Sequence, residues 1–352
     1  LDKLQPHHIM KFYNNLRDGN IREDVTYKAK IDALPLLKKK KLTQAALAEK
    51  SGISINTVQN YVHGVCVSEQ SALKIAAALK MPHEKIFIAS ENKNKPLAPK
   101  TISNYHRLIS AILEKAVKWQ ILMYNPCRRV EAPKVPRKET NYLDEVQASK
   151  LLNCLESEPL QYKAMITTLL YSGMRRGELC GLEWADIDFD NNLIDINKSS
   201  LYLTDRGIFD DTTKTESSKR VIKVPQYAID ILKRHSGEQS LQRLKLGDKW
   251  INSGKVFTQW NGKPIHPDTI SGWFGKFLKR HNLPHISIHS LRHTNATLLI
   301  AGGADLRTVS KRLGHADMTT TANIYTHAIQ SADERAAQVL DAMLPVNNAK
   351  AN

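Results

Sequence analysis

Toward its C-terminal end, the chain groups residue types that together can break and rejoin a phosphodiester. His289–Thr294 reads HSLRHT, Leu313–His315 reads LGH, and Tyr325 follows ten residues later. Arginine donates paired hydrogen bonds to phosphate oxygens, histidine transfers protons near neutral pH, and a tyrosine hydroxyl can act as a nucleophile. Upstream, Gly173–Leu179 (GMRRGEL) and Lys214-Thr215 add further charged groups. Each piece alone is a weak signal, so the inference depends on their order and spacing.

Several charged residues and histidines are candidates to stabilise the phosphate and to transfer protons in such a reaction. A phosphodiester under attack gains negative charge, and Arg175 and Arg292 are the candidates to stabilise it. Glu178 lies one helical turn after Arg175 and is placed to orient it. His289 or His315 could serve as the base or as an orienting group.

The remaining two roles are those of nucleophile and acid. Tyr325 is one of 11 tyrosines, and its place ten residues after a Gly-His pair favours the nucleophile over a core position. Lys214 is suited to protonate the departing 5′-oxygen. Lys219 and Lys223 are alternatives to Lys214, because they lie on the same predicted hairpin.

At several positions, other roles have to be compared with a role in catalysis. His289 and His293 have the spacing of two zinc ligands on a helix, but residue 290 is serine and no third ligand is evident, so we expect no metal. Cys180 follows two arginines, yet a small buried helix residue is favoured over a nucleophile. Arg176 is predicted to contact DNA or to lie at the surface.

Composition narrows the class of partner. The 352-residue chain is 41% hydrophobic, enough for two or three cored domains, and it contains no apolar run of membrane-spanning length. Its net charge is +16, of which residues 1–140 carry +13. Spread over many short helices, this charge favours nucleic acid over a membrane surface. The scattered cysteines predict reduced thiols: Cys66, Cys127, Cys154 and Cys180. Because the chain starts with Leu1, we expect the natural protein to begin upstream.

The N-terminal half is predicted to be a helical DNA-binding domain in two pieces, residues 1–24 and 96–131. Residues 100–119 have apolar positions at helical spacing and a basic opposite face. Residues 132–141, with prolines and alternating charge nearby, predict an extended linker. The side chains on the basic face that we expect to touch DNA are Lys100, Thr101, Asn104 and Arg107.

Residues 25–95 predict an inserted module, whose compact helical part is Leu34–Phe87. Gly52 is placed at a tight turn between one helix packed through Leu47 and Ala48 and a second packed through Val58 and Tyr61. This pattern resembles the repressor-type helix-turn-helix. The outward face of the second helix would then offer polar groups to base edges or phosphates: Asn56, Thr57, Gln59 and Asn60. An ordinary helical hairpin is the alternative.

Residues 142–330 are predicted to mix helices with a small sheet. Leu193–Asn197 and Arg220–Val224 alternate as strands do, with a polar bend carrying Lys214 between them. Helical patterns precede and follow these strands. Residues 331–352 form a predicted tail helix with an apolar stripe. The stripe could fold back on its own domain, but contact with a neighbouring subunit is favoured. The fold class expected is therefore mainly α with a small β-sheet.

Taken together, these motifs resemble those of the tyrosine recombinase (phage integrase) family, and most closely the integrases of conjugative transposons. The resemblance covers about residues 1–24 and 96–344, and leaves the helix-turn-helix insert outside the usual pattern. The family's catalytic residues carry over onto Arg175, Lys214, His289, Arg292, His315 and Tyr325 with none missing. The resemblance implies a clamp around DNA, attack by Tyr325 to give a 3′-phosphotyrosyl link, and strand exchange without a cofactor.

The resemblance also implies partners and a location. We expect double-stranded recombination sites as substrate, a tetramer assembled through the C-terminal tail, an accessory excision protein as a further candidate, and no membrane. The expected location is the bacterial cytoplasm at the nucleoid. Two rivals stay open: a type IB topoisomerase, and a DNA-binding regulator that has lost catalysis.

Overall fold

The computed structural model describes residues 3–18, 26–90, 96–136, 141–212, 219–314 and 343. By its internal contacts, the chain divides into two compact units, Leu1–Lys138 and Glu139–Asn352. Most described residues are helical, and the strands form small separate sheets, so the expected class, mainly α with a little β, is confirmed. None of the helices in the described ranges is long and apolar enough to cross a membrane.

The first unit contains a helical pair that flanks the predicted insert. Helix α1 spans Pro6–Asp18 and α7 spans Pro99–Lys118, followed by a 3-10 helix at Pro126–Arg129. Pro99 starts α7, and the chain turns again at Asn125, whose side chain caps the 3-10 helix. These helices share one core, which includes Ile9, Tyr13, Leu16, Ile102, Leu113 and Cys127.

Between these helices lies the insert, which has a core of its own. Its elements in chain order are β1 (Thr26–Ala29), α2 (Ala33–Lys39), α3 (Gln44–Ser51), α4 (Ile55–Val62), β2 (Val67–Ser68), α5 (Glu69–Ala78), α6 (His83–Ile86) and β3 (Phe87–Ala89).

The predicted turn between α3 and α4 is present. Thr43 accepts a hydrogen bond from the backbone of Ala46 and so caps α3, and Ser54 caps α4 in the same way. Gly52 ends α3 with φ of +61°, a left-handed conformation that glycine adopts without strain. Of the side chains predicted to hold the two helices together, Leu47, Val58 and Tyr61 are fully buried and Ala48 is half-buried.

The compact helical module predicted at Leu34–Phe87 is present as helices α2 to α6, and a small sheet that the sequence did not predict accompanies it. The insert begins at β1, which lies between β2 and β3 in an antiparallel sheet, with Tyr27 opposite both Val67 and Ala89. These strands are two to four residues long, too short to show alternation in the sequence. Since Ser90 donates a backbone hydrogen bond to Thr26 at 2.7 Å, the two ends of the insert meet.

The second unit is built from seven described helices and five described strands. The helices are α8 (Glu145–Cys154), α9 (Leu160–Ser172), α10 (Arg176–Gly181), α11 (Gln226–Leu246), α12 (Pro267–Arg280), α13 (Ile288–Ala301) and α14 (Leu306–Leu313). The strands are β4 (Ile187–Asp188), β5 (Leu193–Ile196), β6 (Lys198–Leu203), β7 (Gly207–Thr212) and β8 (Arg220–Lys223). Short 3-10 turns occupy Leu155–Ser157, Trp184–Asp186 and Gly247–Lys249.

The two predicted strands pair directly: β5 lies between β4 and β8, with Ile194 opposite Ile222. An antiparallel hairpin of β6 and β7, which the sequence did not predict, lies between β5 and β8, and the polar bend expected to carry Lys214 lies outside the described residues. The outer half of the hairpin, Leu201–Arg206, is exposed, so no alternation of buried and polar residues marks it. The unit's core joins the sheet of β4, β5 and β8 to helices α8 to α13.

Candidate active site

Four of the seven residues predicted for the chemistry are described, all in the second unit. Arg175 and Glu178 lie at the start of α10, and His289 and Arg292 lie in the first turns of α13. The predicted acid Lys214, the base candidate His315 and the predicted nucleophile Tyr325 lie outside the described residues.

Gly173 sets the direction of the chain leading into Arg175. It ends α9 with φ of +66°, and a Cβ at this position would lie 2.7 Å from Asn295 Oδ1 and 2.8 Å from a methyl carbon of Leu313. Any other residue would have to adopt a left-handed φ and displace these two side chains, so glycine is favoured here. The close approach brings α9, α13 and α14 together at this point.

Arg175 is held by the carboxylate of Glu178. Its Nη1 donates to Glu178 Oε1 at 2.9 Å, and its backbone N–H donates to Oε2 at 2.8 Å. The Arg175 side chain is 41% exposed whereas that of Glu178 is 3% exposed. The guanidinium can therefore meet a ligand while the carboxylate holds it from behind. The contact expected from spacing is present, and its part in catalysis remains a prediction.

Arg292 is buried, in contrast to Arg175. Ser287 caps α13 through the backbone of Ser290, and Arg292 follows on the inward face of the helix. Its Nη1 donates to Gly173 O at 2.8 Å and its Nη2 to Leu313 O at 2.6 Å. Arg292 thus joins the end of α9 to the end of α14.

Three arginines donate hydrogen bonds to backbone carbonyls at the C-terminal end of α14. Arg220 Nε donates to Arg312 O at 2.7 Å, Arg292 to Leu313 O, and Arg175 Nη2 to Gly314 O at 3.4 Å. The last carbonyls of a helix lack partners within it and carry the negative end of its dipole, so cations are favoured there. Two of these arginines were predicted for the chemistry, and they converge here with a third.

Sequence reasoning missed this third arginine, Arg220. It is buried at the start of β8, and its guanidinium pairs with Glu178 through two hydrogen bonds. A signal existed, since β8 alternates and puts Arg220 on the same inward side as Ile222. A charged residue at an inward strand position indicates a buried partner.

The strand before Lys214 is also anchored by charge. Asp210 on β7 accepts a hydrogen bond from the buried Lys255 Nζ at 2.5 Å, and Lys255 also contacts Glu183 at 3.0 Å. The other carboxylate oxygen of Asp210 accepts a hydrogen bond from Ser200 on β6. The chain on each side of residues 213–218 is therefore tied to the body of the unit, by Asp210 on one side and Arg220 on the other.

Electrostatics keep the central carboxylate charged. Burial by itself would raise the pKa of Glu178, but the hydrogen bonds and positive charge of Arg220, together with Arg175, bring that pKa below its usual value. Glu178 is thus ionised at neutral pH and can hold both guanidinium groups.

The two histidines of α13 have neighbouring rings, with centroids 4.9 Å apart. Desolvation, Arg292 and Arg175 lower the pKa of His289, the more exposed of the two. Desolvation, with the adjacent His289 and Arg292, lowers the pKa of His293 to about 4. Both imidazoles are therefore neutral at pH 7, and a neutral imidazole can accept a proton.

The predictions for Cys180, for Arg176 and for a metal site can be compared with the structure. Burial raises the pKa of the Cys180 thiol to about 12, which leaves it unsuited to act as a nucleophile. Arg176 forms an ion pair with Asp268 at 2.6 Å and a hydrogen bond to Ser271, so its predicted DNA contact would compete with a partner on α12. Within the described ranges, no three His, Cys, Asp or Glu side chains are grouped as metal ligands would be.

The predicted DNA-contact residues of the first unit are at its surface. On α7, Lys100, Asn104 and Arg107 are exposed and Thr101 is half-buried. On α4, Asn56, Gln59 and Asn60 are exposed, Thr57 is half-buried, and the opposite face carries the buried Val58 and Tyr61. Both sets are accessible to a ligand, and their contacts with DNA stay predictions.

Comparisons with known proteins show to which family the chain belongs. Residues 141–331 match the model of the phage integrase family, and residues 36–86 match a helix-turn-helix family. Similar proteins include a XerC-like tyrosine recombinase of Caldanaerobacter subterraneus, 29% identical over 80% of this chain and 75% of that protein, and the ICEBs1 integrase of Bacillus subtilis, 29% identical over 70% and 67%.

Among solved structures, the fold is similar to that of the Tn1549 transposon integrase in complex with transposon right end DNA. The TM-score is 0.59 at 22% identity, covering 88% of this chain and 99% of that one. Because the family model spans more than half of its length, the chain belongs to the phage integrase family.

The depressed pKa of His293 predicts a loss of stability in mild acid. Unfolding returns the side chain to a pKa near 6.5, so between that pH and about 4 the unfolded chain binds more protons. The free energy of unfolding should therefore fall as the pH drops from about 6.5 to about 4. His293→Gln should reduce this slope, measured by urea denaturation at several pH values. His285→Gln, at an exposed position, is the control, and equal slopes in the two variants would contradict the prediction.

Proposed function

We propose that this protein is a site-specific DNA recombinase that cleaves and rejoins strands through a 3′-phosphotyrosyl intermediate, integrating and excising a mobile element. Membership of the phage integrase family supports the reaction class. The observation that carries the proposal is the convergence of Arg175 and Arg292 on the end of α14, immediately before His315 in the chain.

Each residue then has a step in the reaction. Arg175 and Arg292 stabilise the charge on the non-bridging oxygens of the scissile phosphate. Neutral His289 or His315 accepts the phenolic proton as Tyr325 attacks, so that a phosphorus–tyrosine bond forms and the bond to the 5′-oxygen breaks. Lys214 protonates the departing 5′-oxygen. A 5′-hydroxyl from another strand reverses these steps, and the ester conserves the bond energy.

For the domains, we propose a DNA-binding part at residues 1–24 and 96–131, a linker at 132–141 and a catalytic part at 142–330, which together close around DNA. The exposed basic face of α7 would lie against phosphates and position the duplex. Residues 25–95 form the insert, which adds a second DNA contact.

The charge and the surface of the insert support that second contact. Residues 26–90 carry a net charge of +6, with ten lysines and no arginine. Four of the lysines, residues 38–41, directly precede the cap of α3 and are exposed. The exposed face of α4 is uncharged and amide-rich. Lysine side chains can contact phosphates, and side-chain amides can form hydrogen bonds with base edges. A helix-turn-helix on B-DNA is expected to make both kinds of contact.

The finer assembly is also a proposal. A tetramer that pairs two duplexes would be held by the tail at residues 331–352, which apart from Met343 lies outside the described residues. An accessory excision protein would set the direction of the reaction. Since the substrate would be chromosomal, we infer that the protein acts at the bacterial nucleoid.

The nucleophile can be tested by covalent trapping. Nicked half-site DNA from the ends of the element should give an SDS-resistant adduct with the wild-type protein, and Tyr325→Phe should give none because the attacking oxygen is absent. The control is Tyr202→Phe on β6, an exposed tyrosine that should leave the adduct intact. An adduct that persists in Tyr325→Phe would assign the nucleophile elsewhere. Tight binding without any wild-type adduct would favour a regulator, and relaxation without joining of two duplexes would favour a topoisomerase.

The insert can be tested without disturbing its core. The triple variant Asn56→Ala, Gln59→Ala and Asn60→Ala removes exposed amides from α4. Its binding to DNA should be weaker by about 1–3 kcal/mol for each amide that pairs with a base through two hydrogen bonds. The measurement is the Kd for DNA carrying the element end, with Gln70→Ala and Leu73→Ala on the exposed face of α5 as control. An unchanged Kd in the triple variant would remove α4 from the DNA interface.

The tail can be tested by truncation. Removing residues 331–352 should abolish the pairing of two sites, seen as loss of the synaptic band in a gel-shift assay, while binding to a single half-site continues. Removing only residues 346–352, which lie beyond the apolar stripe, is the control. Pairing that survives the longer truncation would rule out the tail as the subunit contact.

A further inference from the structure

Arg220 is a buried charged residue of the site that the proposed chemistry leaves unused. It is the first residue of β8, and its side chain is 5% exposed. Burying a guanidinium is costly unless several hydrogen bonds compensate, so its partners indicate its role.

Two edges of the guanidinium face different elements. One edge pairs with Glu178, with Nη2 at 2.8 Å from Oε2 and Nη1 at 3.2 Å from Oε1. The Nε edge donates to Arg312 O at 2.7 Å. A lysine could not make both sets of contacts, because it has a single nitrogen.

Glu178 is the carboxylate that also holds Arg175. Each of its oxygens is shared: Oε1 accepts from Nη1 of both arginines, and Oε2 accepts from Arg220 Nη2 and from the backbone N–H of Arg175. Without Arg220, this buried carboxylate would keep only the two hydrogen bonds that Arg175 donates. The position of the Arg175 guanidinium would then be less constrained.

Arg220 also lies against Gly314, the residue that follows α14. A Cβ on Gly314 would come within 3.0 Å of Arg220 Nη1, so the backbone there is packed directly onto the guanidinium. In the chain, Gly314 immediately precedes His315, and Arg220 follows Lys214 by six residues.

We infer that Arg220 is a positioning residue for strand cleavage: through Glu178 it fixes the guanidinium of Arg175, and through Arg312 O it fixes the end of α14. It does not touch DNA itself. The inference rests on the proposed recombinase function, and it assigns Arg220 to the orientation of the phosphate-binding arginine.

The test compares two substrates for Arg220→Met and Arg220→Lys. One is an ordinary nicked half-site, and the other carries a methylphosphonate at the scissile position, which is uncharged and needs less help from a cation. On the ordinary substrate, Arg220→Met should slow adduct formation about 100-fold, as expected for a small misplacement of a catalytic group. Arg220→Lys should lie between Arg220→Met and the wild-type protein.

Two features separate positioning from general damage. The deficit of Arg220→Met should shrink on the methylphosphonate, as should that of Arg175→Ala, because both act on the same charge. The double variant Glu178→Gln with Arg220→Met should be no slower than the slower single variant, since the two residues act as one unit. Val221→Ala, at an exposed position of β8, is the control and should cleave at the wild-type rate.

Other results would overturn the inference. These are wild-type cleavage by Arg220→Met, equal deficits on the two substrates, or additive effects in the double variant. If Arg220→Met no longer binds the half-site, Arg220→Lys decides on the same two-substrate comparison. A wild-type protein that forms no adduct with either substrate would instead refute the proposed recombinase, a separate failure.

Discussion

The site depends on the attraction between the C-terminal carbonyls of α14 and three guanidinium groups. Arg175 comes from α10, Arg292 from α13 and Arg220 from β8, and each donates to a different carbonyl of residues 312 to 314. A cation at a helix C-terminus typically contributes about 0.3–1 kcal/mol, and up to about 2 kcal/mol where it is partly buried. The geometric effect matters more here, because one helix end contacts an arginine that is 139 residues away in sequence, Arg175.

Glu178 makes this concentration of positive charge tolerable. Two arginines share its buried carboxylate, whose lowered pKa keeps it ionised. Removing one partner of a buried ion pair typically lowers the free energy of unfolding by about 3–5 kcal/mol, so the carboxylate and its arginines depend on one another. The arrangement leaves Arg175 partly exposed and able to meet a phosphate, while Arg292 and Arg220 are buried behind it. A preorganised site of this kind needs little rearrangement when negative charge develops.

The insert is a module that is closed on itself and separate from the helices around it. Its hydrophobic core is distinct from that of the flanking helices, and its two ends are joined by the pairing of β1 with β3. A module closed in this way can be carried between α1 and α7 while keeping its own fold. Its contacts can therefore be altered separately from those of the helices around it.

Much of this architecture could be predicted from local patterns. The turn at Gly52, the caps of α3 and α4, the pairing partners β5 and β8, and the closeness of Arg175 to Glu178 all follow from signals within a few residues. What could not be predicted was set by partners far away in the chain. The strands of the insert are too short to alternate visibly, and the β6–β7 hairpin is exposed at its tip.

Residue types, order and spacing in the sequence were enough to determine the family and to nominate Arg175, His289 and Arg292, because helical spacing and side-chain chemistry are local properties. The tertiary structure alone decided that Arg292 is buried while Arg175 is open, that both imidazoles are neutral, and that Arg220 shares the carboxylate of Glu178. Burial, desolvation and ion pairing depend on which distant segments pack together, and no local pattern in the chain specifies that.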